Sequence, residues 1–217
     1  MILPEPPAGD ALKQLGIRAD EIRTVAVTDT WWRLHFTVGE HVLAWNAFRR
    51  YGPVARFDPH PAVAADQPAT EHTNHGVWYG AADAITALGE AFQHDRVIDR
   101  RRGLPFLTGV QFRHEFTLLD IAPNGPGRWP TRAGGNYALA TAEHAVTQRW
   151  ANRISGAFPD LCGLHYTGLY GGGACIALFL PAANAMPDRP VFSRPLIDPA
   201  LQDRLGSAAQ CLGYDLV

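Results

Sequence analysis

Apolar positions along this chain fall into short, dense runs separated by Gly, Pro and charged residues, a pattern that predicts several strands and a few helices. Ile22 to Thr28 and Trp32 to Val38 are β-branched or aromatic runs and read as strands. Gly76-Val77-Trp78-Tyr79-Gly80-Ala81 reads as a third strand that hands over to a helix from Asp83 to Gln93. Asp83 is the candidate N-cap, and Ile85, Leu88 and Phe92 recur at helical spacing as the expected core face. Glu90 falls off that stripe, with Thr86, Ala87 and Gln93. Phe106 to Ile121 predicts one or two further strands. Asn136 to Ile154 predicts the clearest helix, with Leu139, Ala142, Val146, Trp150 and Ile154 as one buried face. Gly163 to Thr167 and Cys175 to Leu180 read as a pair of strands around a glycine-rich turn. A short helix over Ala11 to Leu15 ended by Gly16, a closing helix over Pro199 to Leu212 and a last strand over Tyr214 to Val217 complete the set.

Between these elements, residues 1–8 predict a proline-rich extended arm, and residues 46–59 and 123–135 predict loops. Residues 60–75 are rich in Pro, Ala, Asp and His without periodicity, which predicts a mobile surface insertion. No stretch reads as a linker, and 217 residues suit one well-buried domain. The expected fold class is α+β, with helices flanking a split or mostly antiparallel sheet. Hydrophobic residues at 47% against 18% charged call for a packed core rather than disorder. A net charge of −2 gives no electrostatic reason to expect nucleic acid or an anionic membrane as partner. No apolar run is long enough to span a bilayer, and the first residues lack the basic and apolar regions of a signal peptide. Three widely spaced cysteines, Cys162, Cys175 and Cys211, suggest buried free thiols in a reducing compartment, so the cytoplasm is the expected location.

The candidate chemistry is sparse. Arg33 follows two tryptophans in a strand pattern, so it points with His35 away from Trp32, Leu34 and Phe36, into solvent or into a cleft. Its planar fork suits phosphate, as does that of Arg56, whose loop is fixed by flanking prolines and which Asp58 is placed to orient. Tyr79 is either a core aromatic or a ring beside a ligand with its hydroxyl free to hydrogen-bond. Glu90 is either a solvated helix residue or a carboxylate that accepts from sugar hydroxyls. Gly171-Gly172-Gly173 precedes a strand pattern and no Lys-Ser/Thr, so it predicts a flexible hairpin turn rather than a phosphate loop. The nine histidines form no His-Glu-x-x-His motif, and no metal is expected. A metal-dependent hydrolase built on the histidine-rich insertion is the weakest of the readings. Cys162, near His165, is read as an inert thiol rather than a nucleophile.

Taken in order, Trp32-Arg33, Arg56-Phe57-Asp58-Pro59, Tyr79-Gly80-Ala81 before Glu90, and Tyr166-Thr167-Gly168 before the apolar run ending in Phe179 resemble the RES domain family. The resemblance covers residues 30–180, with residues 1–29 as an N-terminal arm and extension and 181–217 as a C-terminal extension packed on the same domain. It implies an ADP-ribosyltransferase-like fold. It also implies a toxin that binds NAD as its substrate and splits the nicotinamide–ribose bond, with water, phosphate or a protein side chain as acceptor. Arg33 and Arg56 would hold the pyrophosphate, Tyr79 would position the nicotinamide end, and Tyr166, Thr167 and Gly168 would edge the pocket. Glu90, with Arg33, would carry catalysis, because positive charge develops at the ribose only in the transition state. The implied partner is a helix-turn-helix antitoxin; a homo-oligomer is also compatible. Gly168 stands where the family carries serine, which leaves a second reading open: an NAD or ADP-ribose-binding or protein-interaction module without catalysis.

Overall fold

The computed structural model describes residues 2–63 and 67–217. In chain order the elements are α1 (Gly9–Leu15), β1 (Ile22–Val25), β2 (Trp31–Phe36), β3 (Tyr51–Gly52), β4 (Thr70–Glu71), β5 (Val77–Ala81) and α2 (Ala84–Ala91). Then follow β6 (Val97–Ile98), β7 (Pro105–Val110), β8 (Phe116–Asp120), α3 (Trp129–Arg132), α4 (His144–Ala157), β9 (Gly163–Thr167) and β10 (Ala174–Phe179). The chain closes with β11 (Phe192–Pro195), α5 (Gln202–Leu212) and β12 (Asp215–Leu216).

Eight strands form one sheet in the order β1-β8-β9-β10-β5-β2-β7-β11. The β8–β9 pair is parallel and the other pairs in this sheet are antiparallel. Its central strands β5 and β10 are apolar on both faces because both faces are covered there. In β10, Cys175, Ala177 and Phe179 join the larger core with α2, α4 and α5, while Ile176 and Leu178 join a second core around Trp31, Trp78 and Phe112. That alternation follows from the two-residue period of a strand. The fold is α+β, as the sequence predicts.

The sheet is nearly split at one seam. β2 pairs with β7 through six residues, but with β5 only through Trp32 opposite Ala81. At the other end of β5, Val77 pairs with Arg49 instead, exchanging N–H···O bonds of 2.8 and 3.0 Å. The segment carrying Arg49 therefore wedges into the opening between the two strands.

Local chemistry fixes α2 at this seam. The Asp83 side chain accepts from the Thr86 N–H at 2.7 Å and from the Thr86 hydroxyl at 2.8 Å, capping the helix as expected. Leu88 and Phe92 are buried, but Ile85 is 36% exposed and Thr86 takes the inner place. The stripe is rotated because the cap turns Thr86 toward the loop after β9, which only a small side chain can face.

Other expectations are corrected. The predicted Asn136 to Ile154 helix is broken: Asn136 caps a short 3-10 turn over Tyr137–Ala140, and α4 starts at His144. Leu139, Trp150 and Ile154 are buried as predicted, with Thr147 and Ala151 completing the inner face. Residues 123–135 are not all loop, since they contain α3. The described part of residues 60–75 lies at the surface apart from His60, which is 1% exposed; there β4 pairs with β3 and the His72 N–H donates to Arg50 O. Residues 64–66 of that stretch lie outside the described residues. Of the three cysteines, none disulfide-bonded, only Cys175 is buried; Cys162 is half-buried and Cys211 exposed. Among the described residues, no helix is long and apolar enough to cross a membrane.

Candidate functional site

A cavity of about 280 Å³ opens at the seam. Its walls are Trp32, Arg33 and Leu34 of β2, Tyr79 to Ala81 of β5, Ala87, Glu90 and Gln93 from α2 and its end, Arg49 and Arg56 from the intervening loop, and His144, Tyr166 and Cys175. Five residues singled out in the sequence, Arg33, Arg56, Tyr79, Glu90 and Tyr166, thus meet at one cavity. Thr167 and Gly168 do not line it.

Arg33 shares the Trp31 and His35 face of its strand. Its guanidinium stacks over the Trp78 ring at 5.3 Å and donates to Ala47 O at 3.2 Å. Burial, with the Arg49 charge adding to it, draws the Arg33 pKa down to about 9, which leaves the group cationic at neutral pH. Arg56 donates to Ala142 O, at the turn leading into α4. His144, the first residue of α4, has its pKa lowered by burial and by the Arg56 charge.

Arg49 is the functional candidate that the sequence reading missed. Both Asp58 carboxylate oxygens accept from its Nη2, at 2.8 and 2.9 Å, and its Nη1 donates to Tyr51 O. Asp58 is fully buried and also accepts from the Val54 N–H at 2.5 Å, the Ala55 N–H at 3.0 Å and the Tyr79 hydroxyl at 2.8 Å. The expectation that Asp58 orients Arg56 side chain to side chain is therefore corrected: it holds Arg49 and shapes the backbone turn on which Arg56 sits. The Tyr79 hydroxyl is not free either, because it also accepts from the Phe57 N–H at 3.1 Å. Burial and the Asp58 charge raise its pKa well above the ordinary value. The available signal was the Arg49-Arg50 pair before Tyr51-Gly52-Pro53, but no local pattern tells which arginine turns inward.

Glu90 is half-buried, and its Oε1 accepts from the Leu169 N–H at 2.6 Å and the Tyr170 N–H at 3.0 Å. Tyr166 is buried edge-on against Phe57, and burial raises its pKa. Cys175 is held as the neutral thiol by burial and by the Glu90 and Asp83 charges, which disfavours a nucleophilic role. The glycine-rich turn is packed rather than loose: a Cβ on Gly171 or Gly173 would run into Thr86. Among the described residues, no group of three or more His, Cys, Asp or Glu side chains is placed to hold a metal ion.

The cavity is thus bordered by three arginines, one of them paired with a buried carboxylate, and by a glutamate. Such a site suits a ligand that is anionic at one end and hydroxyl-bearing at the other.

The RES domain model matches residues 30–197, and the chain belongs to the RES domain family. A chain in the crystal structure of the M. tuberculosis MbcT-MbcA toxin-antitoxin complex is similar in fold, with a TM-score of 0.54 at 16% sequence identity, covering 85% of this chain and 92% of that one. No curated protein matches the sequence.

Proposed function

We propose that this chain is an NAD-cleaving enzyme of the toxin kind, acting in the cytoplasm and held in check by an antitoxin. The observation that carries the reading is the meeting of Glu90, Arg33, Arg56 and Tyr79 at one cavity at the sheet's seam. Membership of the RES family and a fold shared with a toxin–antitoxin complex support it. Arg33 and Arg56, with Arg49 as a third cation, would hold the pyrophosphate through charge-assisted hydrogen bonds. The Tyr79 ring would pack beside the nicotinamide–ribose end, its orientation set by Asp58. Glu90 would accept from ribose hydroxyls and stabilise the oxocarbenium-like centre as the bond to nicotinamide breaks, a gain realised only in the transition state. Water, phosphate or a protein side chain would then accept the ribosyl group, and a helix-turn-helix antitoxin would cover the cavity mouth.

Gly168 favours a second reading, a non-catalytic NAD or ADP-ribose binder, since no hydroxyl stands at that position. Incubation of the purified protein with NAD, with and without phosphate, separates the two. Release of nicotinamide that falls by about 100-fold or more in Glu90→Gln is the expected result. An NAD-induced rise in Tm without release would favour the binder. Unimpaired release in Glu90→Gln would overturn the role given to that residue.

A further inference from the structure

The loop joining β9 to β10 lies directly along α2, and the contact is made by what its residues lack. The Gly168 N–H donates to Gly173 O at 2.8 Å and closes the loop. Gly171 and Gly173 abut Thr86 and Asp83 in the first turn of α2, and a Cβ on Gly89 would lie 3.3 Å from the Gly171 nitrogen. This docking presents two successive backbone N–H groups, those of Leu169 and Tyr170, to the same oxygen of Glu90. No hydrogen bond from a described residue reaches the other oxygen, Oε2, and the side chain borders the cavity. A glutamate near a helix end otherwise samples several rotamers, and fixing it costs conformational entropy.

Gly168 decides whether this arrangement exists. A Cβ at that position would lie 2.9 Å from the Cys175 sulfur, 2.9 Å from Thr86 Cγ2 and 3.1 Å from Glu90 Oε1. Thr86 and Cys175 are both buried, so neither can yield easily; the glutamate or the loop must shift.

We infer that the Leu169 and Tyr170 amides are the positioning element for Glu90, and that Gly168 is required to bring them there. The inference rests on the reading of Glu90 as the catalytic carboxylate. It gives Gly168 a purpose within an active enzyme: backbone donors steer the carboxylate, and the absence of a side chain is what admits them.

Two measurements test it. In nicotinamide release from NAD, Gly168→Ser and Gly168→Ala are both expected to lower kcat on the order of 100-fold, as for a reacting group displaced by about 1 Å, with KM changed by less than about threefold. An equal loss in the two variants marks the Cβ as the cause. A rise of kcat in Gly168→Ser would overturn the inference, since the glycine would then be a missing hydroxyl. The second measurement needs neither turnover nor a folded Gly168 variant: amide hydrogen exchange at Leu169 and Tyr170. Glu90→Ala should deprotect both amides, while Glu90→Gln, which keeps an acceptor oxygen, should leave them protected and still lose turnover. Unchanged protection in Glu90→Ala would overturn the positioning contact. Wild-type protein that releases no nicotinamide, yet shows this exchange pattern, would sink the proposed function while leaving the contact standing.

Discussion

Two arginine–carboxylate pairs in this molecule are alike in burial and unlike in surroundings. Arg132 forks onto Glu21 at 2.6 and 2.7 Å, and Arg49 holds Asp58 at 2.8 and 2.9 Å. In both pairs the carboxylate side chain is 0% exposed and the arginine 19%. The first pair also takes the Arg18 N–H on Glu21 and gives a bond to Gly16 O, so it ties α3 to the turn after α1. The second reaches the Tyr79 hydroxyl and two loop amides, and Arg49 borders the cavity. Burial and strong pairing therefore do not mark a site. What distinguishes Arg49–Asp58 is the empty space beside it and the further polar groups that line that space.

The largest expected effect comes from removing one partner of a pair. Asp58→Ala should cost roughly 3–5 kcal/mol, because it strands a desolvated guanidinium and a buried tyrosine hydroxyl. It should also abolish the NAD-induced rise in Tm. Glu21→Ala should destabilise the fold to a comparable degree but keep that rise in the folded protein. Thermal denaturation with and without NAD checks both, and loss of the NAD effect in Glu21→Ala would break the comparison.

Acid should separate the two regions by the pH at which each gives way. Burial lowers the pKa of His60, behind the cavity loop, and of His35 to about 4, in each case from 6.5. Each therefore binds a proton more readily unfolded than folded, and its contribution is complete above pH 6.5 and lost as pH falls toward 4. At the other pair, burial alone would raise the Glu21 pKa, but the Arg132 guanidinium and the Arg18 N–H outweigh it and lower it. That contribution is present above the ordinary value of 4.5 and is lost only below it. Tm should thus decline in two stages, and His60→Gln should reduce the first, leaving the share of His35, without altering the second. A smaller change is expected from Tyr79→Phe, about 2 kcal/mol for the hydroxyl's bonds to Asp58 and to the Phe57 N–H, with the cavity wall preserved. A much larger cost, or loss of NAD stabilisation, would show the hydroxyl to be more than a brace.

The strands around the seam are legible in the sequence because their periodicity and composition report burial directly. Val77 to Ala81 and Ala174 to Phe179 are continuous apolar runs because both faces of the sheet are covered. Arg33, Arg56, Tyr79, Glu90 and Tyr166 could be picked out because each falls at its place in the ordered pattern that resembles the RES family. Arg49 could not, because a single bridge to Val77, 28 positions away, turns it inward in place of Arg50.

By itself, the sequence determined the α+β class, the order of the main elements, the Asp83 cap of α2 and the family. These depend on local propensity and on burial patterns that repeat within a few residues. Only the tertiary structure decided that the sheet opens between β2 and β5, that Asp58 holds Arg49 and Tyr79 rather than Arg56, and that Gly168 lets two amides reach Glu90. Those outcomes turn on contacts between segments far apart in the chain. There, differences of a few tenths of an ångström settle which polar group meets which, and composition carries no record of them.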